Sequence, residues 1–228
     1  MGSAPILRNR PTGRYDHIPK TLSPNDPHGL HGARPGHRHR GVPRGVLTDL
    51  VGNDEARQAD IIYSLIAQAQ ARGLLCVVVD GGRGMDLSAA QRNGVDLPRT
   101  LVCQPPNAEE ALAIALSVVR TQQVGLLVVD SLSLLPTQGA HMGEHERDHY
   151  EARLVGRSMR EIQAEASRTG CAVVFASRSV DRGVQPSAPL GSNALRFYSA
   201  LRVEVGEGSA PVVRKNKFTP YRSLEEAA

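Results

Sequence analysis

From Val46 onward, short apolar runs alternate with segments that are apolar on one side only. Four of the runs are rich in β-branched residues and have no polar face, which is typical of strands buried on both sides of a parallel sheet. We therefore predict strands at VLTDLV (46–51), LLCVVVD (74–80), TLVCQ (100–104), GLLVVD (125–130), CAVVFAS (171–177), ALRVEV (200–205) and PVVRKN (211–216).

Segments with helical periodicity lie between these runs. Residues 58–72 carry apolar side chains along one stripe, and Gly73 provides a stop. Asn107 is placed to cap a helix that begins with acidic residues, and a longer charged helix is predicted over 146–168. This alternation predicts an α/β fold with a doubly wound, mostly parallel sheet flanked by helices. The last two strands, joined through 206–210, predict a β-hairpin at the C-terminal edge.

Composition divides the chain into an arm (1–41), a core domain (42–221) and a tail (222–228). The arm is rich in Pro, Gly, His and Arg and lacks hydrophobic periodicity, so we expect it to be flexible. Residues 1–45 hold eight Lys or Arg and two Asp, a net charge of +6. Such an arm is typical either of binding to nucleic acid or an acidic partner, or of a solvated tail. Whether the leading Met-Gly-Ser is native stays open.

The apolar content of 40% is spread over short runs, so the sequence predicts no membrane span and no secretory leader. We expect a cytoplasmic protein. Cys76, Cys103 and Cys171 are odd in number, and two of them lie within apolar runs. They are interpreted as free thiols in a reducing compartment and not as a disulfide framework.

The first strand-to-helix turn is where α/β folds commonly hold phosphates, and a phosphate loop requires G-x-x-x-x-G-K-[ST]. Here the second glycine, the lysine and the hydroxyl are replaced by Arg57, Gln58 and Ala59. Asp54 and Glu55 would also repel a triphosphate. The sequence therefore predicts a degenerate nucleotide loop and no bound cofactor; its residues are Gly52, Asn53, Asp54, Glu55, Ala56, Arg57, Gln58 and Ala59.

Four segments resemble RecA-type recombinases. GVPRGVLTDLVG (41–52) resembles the strand that enters their ATP site, and LLVVDS (126–131) resembles their Walker B strand, with Asp130 and Ser131 in place. GSNALRFYSALRVEV (191–205) and VVRKNK (212–217) are similar to segments after the second DNA-binding loop and at the subunit interface. The resemblance covers 41 to about 220 and implies a RecA-like fold.

The departures from that family fall at its catalytic positions. Gly82 stands where the resemblance places the water-activating glutamate, and Ser177-Arg178 stands where it places an Asn-Gln switch pair. The resemblance, with these changes, implies a pseudo-ATPase that is not an enzyme. An Asp that ends a buried strand is often only a cap, so Asp130 alone does not decide the matter. A RecA-like, DNA-binding ATPase with an atypical nucleotide loop is the alternative.

The resemblance places two segments, 136–149 and 179–192, on the side that faces DNA, and the first of them is acidic. Basic residues near the second segment and in the last strands are candidate contacts to DNA or a partner. Ordinary solvated charge is the alternative, because the 179–192 segment has no aromatic residue to stack on bases. The candidates are Arg178, Arg182, Arg196, Arg214, Lys215 and Lys217.

Among RecA relatives, a short chain with a degenerate ATP site and this entry segment is similar to ImuA-type accessory proteins of bacterial mutasomes. That resemblance implies a non-catalytic adaptor in the DNA damage (SOS) response that scaffolds error-prone translesion synthesis. The partners it implies are an ImuB-like inactive Y-family polymerase homologue, an error-prone C-family DNA polymerase, RecA itself and single-stranded DNA. It also implies association with the bacterial nucleoid when the protein is engaged.

The segment HERDH (145–149) indicates a different class of function, a zinc site. H-E-x-x-H on a helix places two imidazoles on one face for zinc, as in metalloproteases. His141 has the same four-residue spacing from His145 as His149 has, and would supply a third ligand. The alternatives are a zinc-binding protein or metalloprotease through His141, His145 and His149, or a solvated start of a helix.

Overall fold

The computed structural model describes residues 41–178, 190–208 and 210–218, together with the backbone of residues 17–18. The helices are α1 (Glu55–Ala71), α2 (Leu87–Arg92), α3 (Ala108–Arg120), α4 (Glu144–Thr169) and α5 (Ser192–Tyr198). Short 3-10 turns cover Leu97–Arg99, Leu132–Leu134 and Gln138–His141. The strands are β1 (His17–Ile18), β2 (Val42–Pro43), β3 (Leu47–Gly52), β4 (Leu75–Asp80), β5 (Thr100–Cys103), β6 (Val124–Asp130), β7 (Ala172–Arg178), β8 (Leu201–Val205) and β9 (Val212–Asn216).

Seven strands form one sheet in the order β5-β4-β6-β7-β3-β8-β9. All neighbours are parallel except β8 and β9, which pair antiparallel as a hairpin at one edge. Because β3 lies between β7 and β8, the strand order reverses direction beside it, and such a switch point opens a crevice at the carboxyl ends of the strands. The predicted fold class and the C-terminal hairpin are confirmed.

Apolar side chains pack on both faces of the sheet. One cluster joins α1 and α2 to side chains such as Leu50, Val78 and Val174. The other joins α3, α4 and α5 to the opposite faces of the same strands through Val79, Val129 and Phe175. Aliphatic strands buried on both sides need helices on both sides, which is the physical basis of this three-layer arrangement.

The element boundaries differ from the predictions in a few places. α1 begins at Glu55, three residues earlier than predicted, because the Asp54 side chain accepts a hydrogen bond from Arg57 N (3.0 Å) and caps the helix. α4 begins at Glu144, and α2, α5 and the 3-10 turns are too short to leave a clear period in the sequence. Within the predicted arm, β1 pairs antiparallel with β2; the remainder of 1–40 and the tail lie outside the described residues.

In the part of the chain that the structure describes, no helix combines the length and hydrophobicity that crossing a membrane requires.

Candidate functional site

The turn between β3 and α1 is closed by packing at its first residue. Gly52 pairs with Arg178 of β7 on one side and with Val205 of β8 on the other. A Cβ at Gly52 would lie 2.1 Å from the backbone oxygen of Val205, so only glycine fits between these strands. The one glycine that survives from a phosphate loop is therefore required here by strand packing.

Gln58, which takes the place of the phosphate-binding lysine, points into the sheet. Its side chain is 6% exposed, and its Nε2 donates to Leu50 O (3.0 Å) and Ser177 O (3.1 Å). It thus links the carboxyl ends of β3 and β7 to the first turn of α1. Arg57 is also buried, and its Nη1 donates to Gly206 O (3.4 Å) after β8.

An ion pair between Arg178 of β7 and Glu55 of α1 lies at the outer side of the β3–α1 turn. Arg178 Nη2 lies 2.6 Å from Glu55 Oε1, with the side chains 47% and 66% exposed. Glu55 is in the first turn of α1, where a carboxylate is favoured by the helix dipole. Arg178, predicted to contact DNA or a partner, is therefore paired within its own chain to a residue of the degenerate loop.

Asp130 and Asp80 end adjacent strands and line a small cavity of about 20 Å³ with Tyr63 and Met85. That volume is enough for roughly one water molecule. The Asp80 carboxylate accepts hydrogen bonds from Gly84 N (3.0 Å), Met85 N (3.3 Å) and Gln104 Nε2 (3.0 Å). It thereby shapes the turn that follows β4.

Burial raises the pKa of Asp130 from its ordinary value of 3.8 to about 6. This value includes smaller contributions from the carboxylates of Asp80 and Glu55, which raise the pKa, and from Arg178, which lowers it. Asp130 therefore carries an electrostatic cost when ionised, as expected of an acidic group in a partly dry site without a full complement of positive charge. Ser131, predicted with Asp130 as a Walker B remnant, caps the following 3-10 turn, with its Oγ accepting from Ser133 N (3.3 Å).

Gly82, where the resemblance places the water-activating glutamate, is exposed in the turn after β4. A Cβ there would meet the flexible end of Leu134 at 2.7 Å, so the leucine side chain covers this position. Gly82 has no side chain that could activate water, and the side chain nearest to it is the apolar Leu134.

A buried polar network lies below the turn between β3 and α1. The Asp49 carboxylate is fully buried and accepts from Ser177 Oγ (2.6 Å) and from Arg202 Nη1 (2.7 Å). Desolvation raises the pKa of Asp49, partly opposed by Ser177, Arg202 and Lys215. Sequence reasoning missed this network, although the single acid within the apolar run 46–51 was its signal.

The basic residues predicted to contact DNA or a partner lie at different positions along the strands and on both faces of the sheet. Arg178 of β7 lies in register with Gly52 of β3. Lys215 of β9 lies in register with Arg202 of β8 and Asp49 of β3, three residues before Gly52. Lys215 Nζ donates to Arg196 O (2.7 Å) and Phe197 O (3.1 Å), which holds it against the end of α5. Burial lowers the pKa of Lys215.

Arg214 precedes Lys215 on β9, so its side chain lies on the opposite face, where it pairs with Glu204. The side chains of Arg196 and Lys217 are exposed. Arg182 lies outside the described residues. The structure thus brings Arg196 and Lys215 together but not all the candidates into one strip, and their contact with DNA or a partner stays a prediction.

The histidines of the HERDH segment lie near the start of α4. His145 Nε2 and His149 Nε2 are 3.2 Å apart, and their rings meet edge to face. Across 41–178, 190–208 and 210–218, no three His, Cys, Asp or Glu side chains are grouped so as to hold a metal ion. His141 is therefore not brought to the other two as a third ligand.

The three cysteines are free, and Cys76 and Cys171 are buried. Burial raises the pKa of both thiols to about 12. The predicted free thiols are confirmed, and these two are too weakly ionised near neutral pH to serve as nucleophiles.

Comparison with known proteins gives a consistent family. A family model described as the RecA N-terminal domain matches residues 36–221. The chain is 32% identical over 199 residues to Protein RecA of Acinetobacter baumannii (strain ATCC 17978), covering 79% of this chain and 57% of that protein. It is 33% identical over 199 residues to Protein RecA of Acinetobacter baylyi (strain ADP1), with the same coverage. It is 32% identical over 205 residues to Protein RecA of Delftia acidovorans (strain SPH-1), covering 81% and 56%.

The chain spans little more than half the length of these curated relatives. The family match extends over most of the chain, including every strand of the large sheet and the turn between β3 and α1. The chain therefore belongs to the RecA N-terminal domain family.

Proposed function

We propose that this RecA-like chain is a non-catalytic adaptor that scaffolds an error-prone translesion polymerase complex in the DNA damage response. The observation that carries the proposal is the inward orientation of Gln58, which is hydrogen-bonded to the carbonyls of Leu50 and Ser177. A side chain used to join two strands and a helix is not available to a phosphate, and it carries no charge to neutralise one.

Further features of the turn argue against ATP. A triphosphate would meet Asp54 and Glu55 at the start of α1, and the basic side chain nearby, Arg178, is already paired with Glu55. The pKa of Asp130 is raised first by burial and then by the neighbouring carboxylates of Asp80 and Glu55, so this end of the sheet does not favour a further negative charge. The residues present therefore do not fit a magnesium nucleotide, and no hydrolytic step is assigned to them.

The partners are proposed from the resemblance to ImuA-type accessory proteins. They are an ImuB-like inactive Y-family polymerase homologue, an error-prone C-family DNA polymerase and RecA. Single-stranded DNA is proposed as a weaker contact through exposed basic residues such as Arg196 and Lys217. Arg178 and Arg214 contribute less to it, because each is paired with a carboxylate of its own chain.

The test is co-elution of the full chain with the ImuB-like protein and the C-family polymerase from the same organism, with and without magnesium ATP. We expect one complex that forms equally well in both conditions. Absence of a complex with either protein would contradict the proposal. A complex that requires ATP, or hydrolysis stimulated by DNA, would favour the DNA-binding ATPase instead.

A further inference from the structure

A second recess lies between the N-terminal half of α4 and helix α5, away from the β3–α1 turn. It is a groove of about 570 Å³. One wall is formed by α4, including Val155 and Gly156, and the other by α5 and the preceding Leu190. We call it the α4–α5 groove; its remaining lining residues are Glu144, Asp148, Glu151, Ala152, Gly191, Ser192, Asn193, Ala194, Phe197 and Tyr198.

Among the residues that the structure describes, the charged ones that line the α4–α5 groove are all acidic. Glu144, Asp148 and Glu151 are spaced i, i+4 and i+7, which places them along one face of α4. Glu151 is held in place because its carboxylate accepts a hydrogen bond from Thr137 Oγ1 (2.9 Å). Basic residues of the same helices, such as Arg147 and Arg196, do not line the groove.

The opposite wall presents an aromatic side chain to solvent. Phe197 is 71% exposed, and its ring meets that of Tyr198 edge to face at 5.0 Å. Its backbone is fixed, because Phe197 O accepts from Lys215 Nζ at the end of α5. An exposed aromatic ring on a fixed backbone beside an apolar floor is typical of an anchor point for a protein partner.

We propose that the α4–α5 groove binds a basic peptide segment of a partner protein. In this arrangement Lys or Arg side chains of the segment meet the acidic row on α4, and an apolar side chain packs against Phe197. Charge complementarity selects this occupant, since three carboxylates would repel the phosphates of a nucleic acid. The proposal deepens the adaptor function by naming the chemistry of one contact, and it rests on that function only in taking the partner to be a protein.

The probe is a fluorescein-labelled helical peptide with Arg at i, i+4 and i+7 and Leu at the intervening inner positions, titrated against the full chain. Its anisotropy should rise on binding, and replacing the three Arg with Gln should abolish the rise. We expect Asp148→Lys and Phe197→Ser each to weaken binding about fivefold or more. Both side chains are on the surface, so urea unfolding should confirm that the variants remain folded.

Matched control variants distinguish binding in the groove from a general effect of surface charge or hydrophobicity. Glu146→Lys makes the same charge change on the same turn of α4, but Glu146 does not line the groove. Leu87→Ser removes another apolar side chain, 54% exposed, from α2. Both controls should bind the peptide as the unchanged chain does.

No binding at millimolar peptide, or equal losses in the groove variants and the controls, would overturn the proposal. Binding of a poly-dT oligonucleotide that depends on Phe197 and is strengthened by Asp148→Lys would also overturn it, in favour of a nucleic-acid site. The assay contains no polymerase, so its failure leaves the adaptor proposal standing. Failure of the co-elution likewise leaves the groove proposal standing.

Discussion

In the turn between β3 and α1, polar side chains are bonded to their own chain, whereas in the α4–α5 groove Glu144, Asp148 and Phe197 are exposed. The turn stands where a RecA-like fold is expected to bind a ligand, yet Gln58 and Glu55 are engaged with β7. The groove is lined in part by residues of 136–149 and 179–192, the two segments that the resemblance places on the side facing DNA. The turn is thus joined to the sheet by contacts within its own chain, while the groove presents charge and an apolar side chain at the surface.

The largest effect should come from Gly52 in the turn, and Gly156 in the groove is the matching glycine for comparison. Gly52→Ala should lower the free energy of unfolding by at least about 3 kcal/mol, because the new Cβ would overlap the carbonyl of Val205. Gly156→Ala, on the wall of the groove, should raise it by up to about 1 kcal/mol, because a helical glycine with no heavy atom near its missing Cβ is replaced by a better helix former. Urea unfolding measures both, and equal effects would remove the distinction between the regions.

Gln58→Ala should destabilise the fold by about 2–3 kcal/mol, because the carbonyls of Leu50 and Ser177 lose a buried donor. Asp148→Ala in the groove is the control and should change the unfolding free energy by less than about 0.5 kcal/mol. Gln58→Lys should also destabilise, since it places a charge in a buried position. A neutral Gln58→Ala would contradict the assignment of this side chain to the core.

Asp130→Asn should stabilise the chain at pH 7 by roughly 2 kcal/mol. Because the pKa of Asp130 is raised to about 6, the folded chain holds the proton more tightly than the unfolded chain does. The contribution of Asp130 to stability therefore falls as the pH rises from about 4 to about 6 and stays low above that range. Between pH 4 and pH 6, the free energy of unfolding of Asp130→Asn should fall less than that of the unchanged chain. If Asp130→Asn were less stable than the unchanged chain at pH 7, the account would be contradicted.

The smallest effect is expected at the ion pair across the turn. Glu55→Gln should lower the unfolding free energy by less than about 1 kcal/mol, because both partners are substantially exposed and the pair is screened by salt. The difference from the unchanged chain should shrink further in high salt. A loss of several kcal/mol would mean that the pair belongs to the core with Gln58.

The sheet could be predicted because each strand has a recognisable local sequence pattern. A run such as 125–130 is short, rich in β-branched residues and apolar on both faces. The apolar stripe of α1 starts only at residue 58, whereas the true start at Glu55 is set by the cap from Asp54 to Arg57 N, which depends on the backbone turn. Short helices such as α5 contain too few residues for periodicity to show.

The sequence shows that residue types in the β3–α1 turn differ from a phosphate loop, and the degenerate nucleotide loop stays a prediction, but the packing of the turn could not be predicted. The orientation of Gln58 depends on the carbonyl of Ser177, and the pairing of Arg178 depends on Glu55, more than 100 residues away in the chain. The α4–α5 groove likewise joins Asp148 to Phe197, whose proximity arises only from the packing of two helices. Chemistry that depends on such long-range contacts leaves no local pattern in the sequence.

Isothermal titration of magnesium ATP into the full chain tests the central claim most directly. The account predicts no binding heat even at high protein concentration, with the same result for Gln58→Lys, because the turn is held by packing and lacks a phosphate cradle. Micromolar binding of ATP to the unchanged chain would contradict it, and the turn would then have to be regarded as a working nucleotide site.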